Sequence, residues 1–316
     1  MRTALIQALC ELADQDPRVW LLTADLGWSV VEPFQRSFPE RFVNVGVAEQ
    51  NLHGIATGLA REGQVPFVYS IATFASMRGY EQFRNGPVLH QLPVRVVGIG
   101  GGFAYGHAGA SHHALEDLAL ARTQPGVAVL APADGPQARS AILATHNLPG
   151  PAYLRIDKAQ LPDLPELAGR FAWYQPELLQ PGRVLLFLAT GSITHEVLQA
   201  RQILEARGIC AAVAVMAHIA YQADDALIAL LKEFPFVITV EEGSAAGGLG
   251  SLVAETIAQY ELNCRLHITG VREPFLPHTG SAEYLRRQHG LDPESLAALA
   301  RMALATKRTR VRRKVA

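Results

Sequence analysis

The chain has 316 residues, 49% of them hydrophobic and 18% charged, and its 28 basic and 29 acidic side chains leave a formal net charge of −1. This composition excludes a disordered or low-complexity protein and allows about two domains of roughly 100 to 200 residues, each with its own core. A balance near zero gives no general attraction for nucleic acid or anionic membranes, and the basic cluster from Lys307 to Lys314 reads as a frayed, solvated end.

Cys10, Cys210 and Cys264 lie far apart in apolar surroundings and fit neither a CxxC pair nor a zinc spacing, so they read as core residues. The first apolar stretch runs straight into Glu11, Asp14 and Asp16, with neither a basic start nor a small-residue cleavage site. No apolar run approaches the roughly 18 residues of a membrane span, and a reducing cytoplasm is the expected setting.

In chain order, a helix starting near Thr3 precedes strands expected at 18–25, 41–47, 65–71, 94–100, 127–131 and 151–156. Helical patterns begin between them near Ala48, Ala75, Ala114 and Pro136. Buried-type strands alternating with helices mark crossover units in a mainly parallel α/β sheet, here of six strands in a first domain at 1–157. Pro162, Pro165, Pro176 and Pro181 interrupt any periodicity in 158–182, which reads as a linker. VLLFLATG (184–191), ICAAVAVM (209–216), FVITVEE (236–242) and CRLHITGV (264–271) then alternate with helical stretches as a second, smaller α/β domain at 183–305. Helices near 281–289 and 293–305 close it, and 306–316 is the basic tail.

The densest signal is NVGVAEQNLHGIATGLA (44–60), where a strand runs directly into a helix at Ala48 and puts Glu49 in the first helical turn. Leu52, Ile55, Ala56 and Leu59 form an apolar stripe, while Gly54 and Gly58 let another backbone approach. Spacing alone leaves two readings for Glu49: a carboxylate that complements the helix dipole, or an acid at the mouth of a pocket.

VAEQN followed by GIATGLA resembles the cofactor-activating segment of transketolases, 1-deoxyxylulose-5-phosphate synthases and the beta subunits of 2-oxoacid dehydrogenases. The resemblance implies thiamine diphosphate as cofactor and a pyrimidine-binding fold followed by a transketolase C-terminal domain. It assigns Glu49 as the carboxylate that hydrogen-bonds the aminopyrimidine and activates it. The residue type suits that task, because a carboxyl drawn out of water moves its pKa toward that of the ring nitrogen with which it shares a proton.

IATFASMRGY (71–80) matches the family's aromatic wall beside the pyrimidine, which assigns Phe74, Met77 and Tyr80 to cofactor binding. Met77 stands where transketolases commonly carry another aromatic, and its polarizable thioether can face a ring. Without the neighbouring motif, Phe74 and Tyr80 would read as ordinary core.

In VRVVGIGGGFAYGHAGASHHALEDLALAR (94–122) a strand enters a glycine-rich loop ahead of a helix, yet neither GxGxxG nor a P-loop fits. The loop instead resembles the transketolase segment GxDGPTHQ. That resemblance places His112 at the substrate's reacting carbonyl and hydroxyls as a proton shuttle, with His113 structural. Two departures stand out: Ala108, preceded by His107, replaces the Asp that reads the donor, and Gly100 replaces a phosphate-contacting histidine. Arg2, Ser29 in TADLGWS and Arg155 in AYLRID fall where transketolases hold the substrate phosphate, and Asp25 matches a residue near the donor. The guanidinium fork suits phosphate. Arg2 also reads as a solvated terminal residue, and Asp25 as a turn cap.

ITVEEGSAAGGLGSLVAE and ITGVREPFLPHTGSAEYLRRQHGLD resemble the family's C-terminal scaffold domain, with Gly243 where a histidine is common, so no catalytic residue is drawn from this half. His195, His218, His267, His278 and His289 are unclustered and read as packing or solvent residues. The family binds the diphosphate through Mg2+ or Ca2+, held by oxygen ligands of a GDG-to-Asn motif that does not occur here, so no metal ligand is assigned to this chain. The resemblance therefore implies a transketolase N-terminal (alpha) subunit as partner in an alpha2beta2 enzyme. Its reaction would pass a two-carbon ketol unit from a sugar, a ketose, to an aldehyde; the arginines favour a phosphorylated ketose, while Ala108 and Gly100 leave that open. The nearest rival is the beta chain of a 2-oxoacid dehydrogenase, which SHHALED and the phosphate-type arginines oppose. A third reading is a catalytically silent scaffold subunit, favoured by Ala108 and Gly100 and opposed by Glu49 and His112.

Overall fold

The computed structural model describes residues 1–273 and 278–313, with side chains described up to Ala305. Strands β1 (Val19–Thr23), β2 (Phe42–Asn44), β3 (Val65–Ile71), β4 (Arg95–Ile99), β5 (Ala128–Leu130) and β6 (Ala152–Ile156) form an all-parallel sheet in the order β2-β1-β3-β4-β6-β5. β3, β4 and β6 are buried at every position, which demands cover on both faces and suits the parallel arrangement.

Helices α1 (Arg2–Gln15), α2 (Glu32–Ser37), α3 (Glu49–Arg61), α4 (Tyr80–Phe83), α5 (Asp117–Arg122) and α6 (Gly135–Thr145) supply that cover. On the α1 and α6 face, Leu5, Leu9 and Ile142 pack on Leu21 and Phe67. On the α3 face, Leu52 and Ala56 join Val68 and Val96 in a core that continues into the second half through Leu186, Leu188 and Met216.

The second sheet contains β7 (Glu177–Gln180), β8 (Leu186–Thr190), β9 (Ala212–Val215), β10 (Phe236–Ser244) and β11 (Arg265–Val271) in the order β11-β10-β8-β9-β7. Helices α7 (Thr194–Glu205), α8 (Asp225–Glu233), α9 (Leu249–Gln259), α10 (Ala282–Gln288) and α11 (Pro293–Arg313) accompany it. Among the described residues no helix is long and apolar enough to cross a membrane.

Four local expectations are corrected. The proline-interrupted stretch contains β7, which pairs antiparallel with β9 at the sheet edge. Pro176 and Pro181 flank it, so neither removes a ladder donor. The helix expected from Ala114 begins at Asp117, because Ala114 exchanges backbone hydrogen bonds with Gly102 at 2.8 and 3.0 Å. The backbone of α11 continues to Arg313, past the expected end at 305. Cys210 is exposed, and Cys10 and Cys264 are only partly buried, so the cysteines are not plain core residues.

Candidate active site

Apart from Arg2 at the start of α1 and Arg155 inside β6, the expected site residues follow the carboxyl ends of the first sheet's strands, the end at which open parallel sheets bind ligands. After β2 the chain turns at Gly46, φ 74°, whose N–H donates to Asn44 Oδ1 at 3.0 Å. Helix α3 then opens with Glu49, 3% exposed. Ser70 at the end of β3 donates its hydroxyl to Glu49 Oε1 at 3.2 Å, and Arg78 Nη1 lies 3.3 Å from Oε2.

The segment after β3 winds as π-helix over Phe74–Arg78, a form frequent at functional sites. It brings the half-exposed Arg78 guanidinium 3.6 Å from the centre of the Phe74 ring, so one cation pairs with Glu49 and covers Phe74. Beneath them His53 is fully buried, its Nε2 2.9 Å from the Ala75 carbonyl. Burial drives its pKa down to about 4, which keeps the imidazole neutral. Gly79 is required here, because a Cβ at that position would overlap the His53 ring.

His112 meets Phe74 edge to face at 5.0 Å between ring centres, and Tyr105 lies 6.1 Å away on the loop before it. Lys158 Nζ sits 4.3 Å from the centre of the Tyr105 ring. Pairwise contacts thus link Glu49 in turn to Arg78, Phe74, His112, Tyr105 and Lys158. His112 Nδ1 is 3.0 Å from Ser111 Oγ, and Thr73 donates to the His112 carbonyl at 3.1 Å.

The second half clamps this loop. Glu242 in β10 accepts the Phe103 N–H at 2.7 Å and pairs with Arg286 at 2.5 Å, while the Ser244 N–H donates to the Leu115 carbonyl at 2.7 Å. His113 Nε2 is 3.2 Å from the Gly106 carbonyl and braces the loop from inside.

The remaining expected residues are placed unequally. Arg155 is buried and forms an ion pair with Asp117, its Nη1 donating to the Glu242 carbonyl at 2.8 Å and its Nη2 to the Ala114 carbonyl at 3.1 Å. Its guanidinium therefore ties the two halves together. Tyr80 accepts a hydrogen bond from Gln124, and Met77 is half-buried beside it in sequence. Asp25 and Ser29 are exposed in the loop after β1 with φ of 56° and 65°, a left-handed backbone that costs about 1–3 kcal/mol at non-glycine residues. Asp25 exchanges hydrogen bonds with Asn44 at 3.0 and 3.1 Å, and the Ser29 N–H donates to Glu32 at 2.7 Å. Arg2 opens α1, half-buried, and acts on the Tyr69 and Tyr105 phenols through its charge. Burial pushes the Tyr69 phenol up to about 12 and that of Tyr105 upward, and the Arg2 charge offsets part of each shift.

Arg78, Ser70, Lys158 and Glu242 escape a motif reading. Arg78 follows Phe74 by four residues, a helical neighbour spacing that marks it in retrospect, and Lys158 stands two residues past the end of β6. Glu242 carries no local signal for its role, since it acts on a backbone amide 139 residues away. Among the described residues no group of three or more His, Cys, Asp or Glu side chains stands ready to hold a metal ion.

Two sheets, with a buried carboxylate, an aromatic ring and an imidazole gathered at one set of strand ends, define an α/β protein with a candidate site on its first half. The sequence model of the transketolase pyrimidine binding domain matches residues 1–163, and that of the transketolase C-terminal domain matches residues 175–296. The chain belongs to the thiamine-dependent transketolase family. It is 34% identical over 301 residues to the B subunit of an apulose-4-phosphate transketolase of Phocaeicola vulgatus, covering 95% of this chain and 96% of that one. A 6-deoxy-6-sulfo-D-fructose transketolase subunit of Clostridium sp. strain MSTE9 is 32% identical, with coverage of 95% and 93%. A solved split gene transketolase, an inactive beta4 tetramer, superposes with a TM-score of 0.85 at 35% identity over 96% of this chain and 97% of that one.

Proposed function

We propose that this chain is the pyrimidine-side subunit of a thiamine diphosphate-dependent split transketolase that moves a two-carbon ketol unit from a ketose to an aldehyde. The observation that carries the reading is the buried Glu49 carboxylate beside the Phe74 ring, with His112 edge-on to that same ring. In this reading a separate alpha subunit holds the diphosphate with Mg2+ or Ca2+, in an alpha2beta2 assembly in the cytoplasm. One relative is one of the lettered subunits of its enzyme and another is inactive as a beta-only tetramer, and both support a need for the partner. So do Trp28 and Val47, large apolar side chains 73% and 74% exposed in the loops after β1 and after β2.

Thiamine diphosphate, when bound, supplies the nucleophilic carbon that takes up the ketol unit. The residues present fit its pyrimidine end. Glu49 offers a desolvated carboxylate that shares a proton with a ring nitrogen, and Phe74 offers a ring face once Arg78 turns out toward solvent. Half exposed, Arg78 is free to make that turn. His112 takes and returns a proton at the substrate's hydroxyl, steadied by Ser111 on its other nitrogen. In this reading Arg2, Asp25 and Ser29 contact the substrate, and Tyr80 and Met77 belong with Phe74 to the wall beside the pyrimidine. Arg155 reaches a substrate phosphate only by giving up contacts to the second half. A sugar with an anionic group fits the two relatives whose names specify a phosphate and a sulfonate sugar.

The test is reconstitution with the alpha subunit, assayed in parallel on a ketose phosphate and on pyruvate. The pair should bind thiamine diphosphate in a magnesium-dependent way and transfer from the ketose, while the chain alone does neither. Turnover by the chain alone, or consumption of pyruvate only, would overturn the reading.

A further inference from the structure

The two halves of the chain enclose a cavity whose lining shares no residue with the candidate active site. Its volume is about 640 Å³, and it lies between two domains, where small-molecule pockets of roughly 300–1,000 Å³ concentrate. Val127, Ala128 and Pro151 wall it at the amino ends of β5 and β6, the sheet end opposite Glu49. Trp173 and Tyr174, from the stretch between β6 and β7, and His218, after β9, supply the facing wall.

That second wall is built from rings. His218 meets Trp173 and Tyr174 edge to face, with ring centres 5.1 and 4.4 Å apart, and Phe171 backs Trp173 at 5.1 Å. His218 is 3% exposed, and its Nδ1 accepts the Tyr174 N–H at 3.1 Å, so the proton of the neutral ring sits on Nε2. A buried donor normally finds an acceptor, yet among the described residues neither His218 Nε2 nor the Trp173 indole N–H has one. The lining backbone is strained as well. Tyr174 has φ 65° and Gln91 φ 49°, left-handed conformations that cluster at ligand clamps when other residues hold them.

Charge narrows the ligand. Among the described lining residues Asp224 is the one ionised side chain, with neither lysine nor arginine beside it, and its Oδ1 already accepts the Ala226 N–H at 3.0 Å. An anion would leave water to meet a carboxylate and no countercharge, whereas a flat ring gains stacking and edge contacts along the aromatic wall.

We propose that this cavity is a binding site for a flat, uncharged, bicyclic heteroaromatic molecule, held against Trp173 and Tyr174 with a ring acceptor atom on the His218 imidazole N–H. The inference stands on the cavity and is independent of the ketol-transfer reading.

Adenine, a bicyclic ring with acceptor nitrogens, is the probe, titrated into the full chain by calorimetry and by tryptophan fluorescence. Binding should be saturable, with quenching that disappears in Trp173→Phe. His218→Phe, which keeps a flat ring and removes the donor, should weaken adenine about tenfold. Tyr174→Gly, which suits the left-handed backbone and removes one ring of the wall, should weaken it about three- to tenfold without lowering the melting temperature. Indole, similar in shape but without a ring acceptor, should bind more weakly than adenine and be indifferent to His218→Phe. Absence of saturable adenine binding, or a Kd unchanged in both His218→Phe and Tyr174→Gly, would overturn the site. Benzoate binding as tightly as adenine would overturn it too. So would loss of adenine binding when the chain is paired with the alpha subunit, which would make this face a subunit contact.

Discussion

Glu49 and Glu241 are both buried carboxylates next to the first turn of a helix, one in each half, but different kinds of donor hold them. Glu241 accepts the backbone N–H groups of Leu249 and Gly250 at 3.0 and 2.9 Å, so both its oxygens are committed to the start of α9. Burial raises its pKa, and those amides offset part of the shift. Glu49 is held by a serine hydroxyl and a half-exposed arginine, side chains that rotate without disturbing any backbone. A carboxylate tied to backbone amides is closed to ligands, whereas one tied to movable side chains can exchange them for a ligand atom. A helix N-terminus favours a carboxylate at each place, so the partners make the difference.

The largest expected effect on this comparison is Glu49→Gln, which should lower ketol transfer by the reconstituted pair about 10² to 10⁴-fold and leave the melting temperature unchanged. Glu241→Gln should do the reverse. Ahead of it in size comes Arg155→Met, which strands Asp117 as a buried charge and should cost about 3–5 kcal/mol in urea unfolding. A rise in KM for a phosphorylated ketose at unchanged stability would instead make Arg155 a substrate contact. Glu241→Gln follows, since an amide NH2 facing a backbone N–H leaves a donor unpaired, at about 1–3 kcal/mol with turnover kept.

The smallest effect is on pH dependence. His53 and His218 are held neutral by burial, with pKa values of about 4 in the folded chain. In the unfolded chain a histidine titrates near about 6.5, so below that pH the unfolded state takes up protons that the folded state does not. Stability present at neutral pH is therefore lost as pH falls from about 6.5 to about 4, by about 1.4 kcal/mol per pH unit for each histidine. Replacing His218 with Phe should make the slope of unfolding free energy against pH shallower by one proton; an unchanged slope would show that the ring is already charged when folded.

What the sequence made legible was local. A strand that turns straight into an apolar-striped helix fixes Glu49 at the helix start, and the separate run IATFASMRGY carries Phe74 just past the end of β3. The alternation of buried strands and helices was enough for both sheets, because continuous burial and parallel pairing go together. The roles of Arg155 and Glu242 were hidden because their partners lie 38 and 139 residues away and no spacing rule reaches that far. β7 was hidden by its prolines, which mark the ends of an edge strand as readily as they mark a linker. Gly100 looked like a loss, and only the three-dimensional packing of Tyr105 against it shows the space to be filled.

The central claim is that Glu49 activates the cofactor once the partner chain anchors it. The most direct measurement is exchange of the C2 proton of thiamine diphosphate in the reconstituted pair, followed by NMR for wild type and Glu49→Gln, with cofactor binding measured on the same samples. The account predicts exchange slowed about a hundredfold or more in the variant with the cofactor still bound. Exchange at the wild-type rate in a variant that binds the cofactor would contradict it.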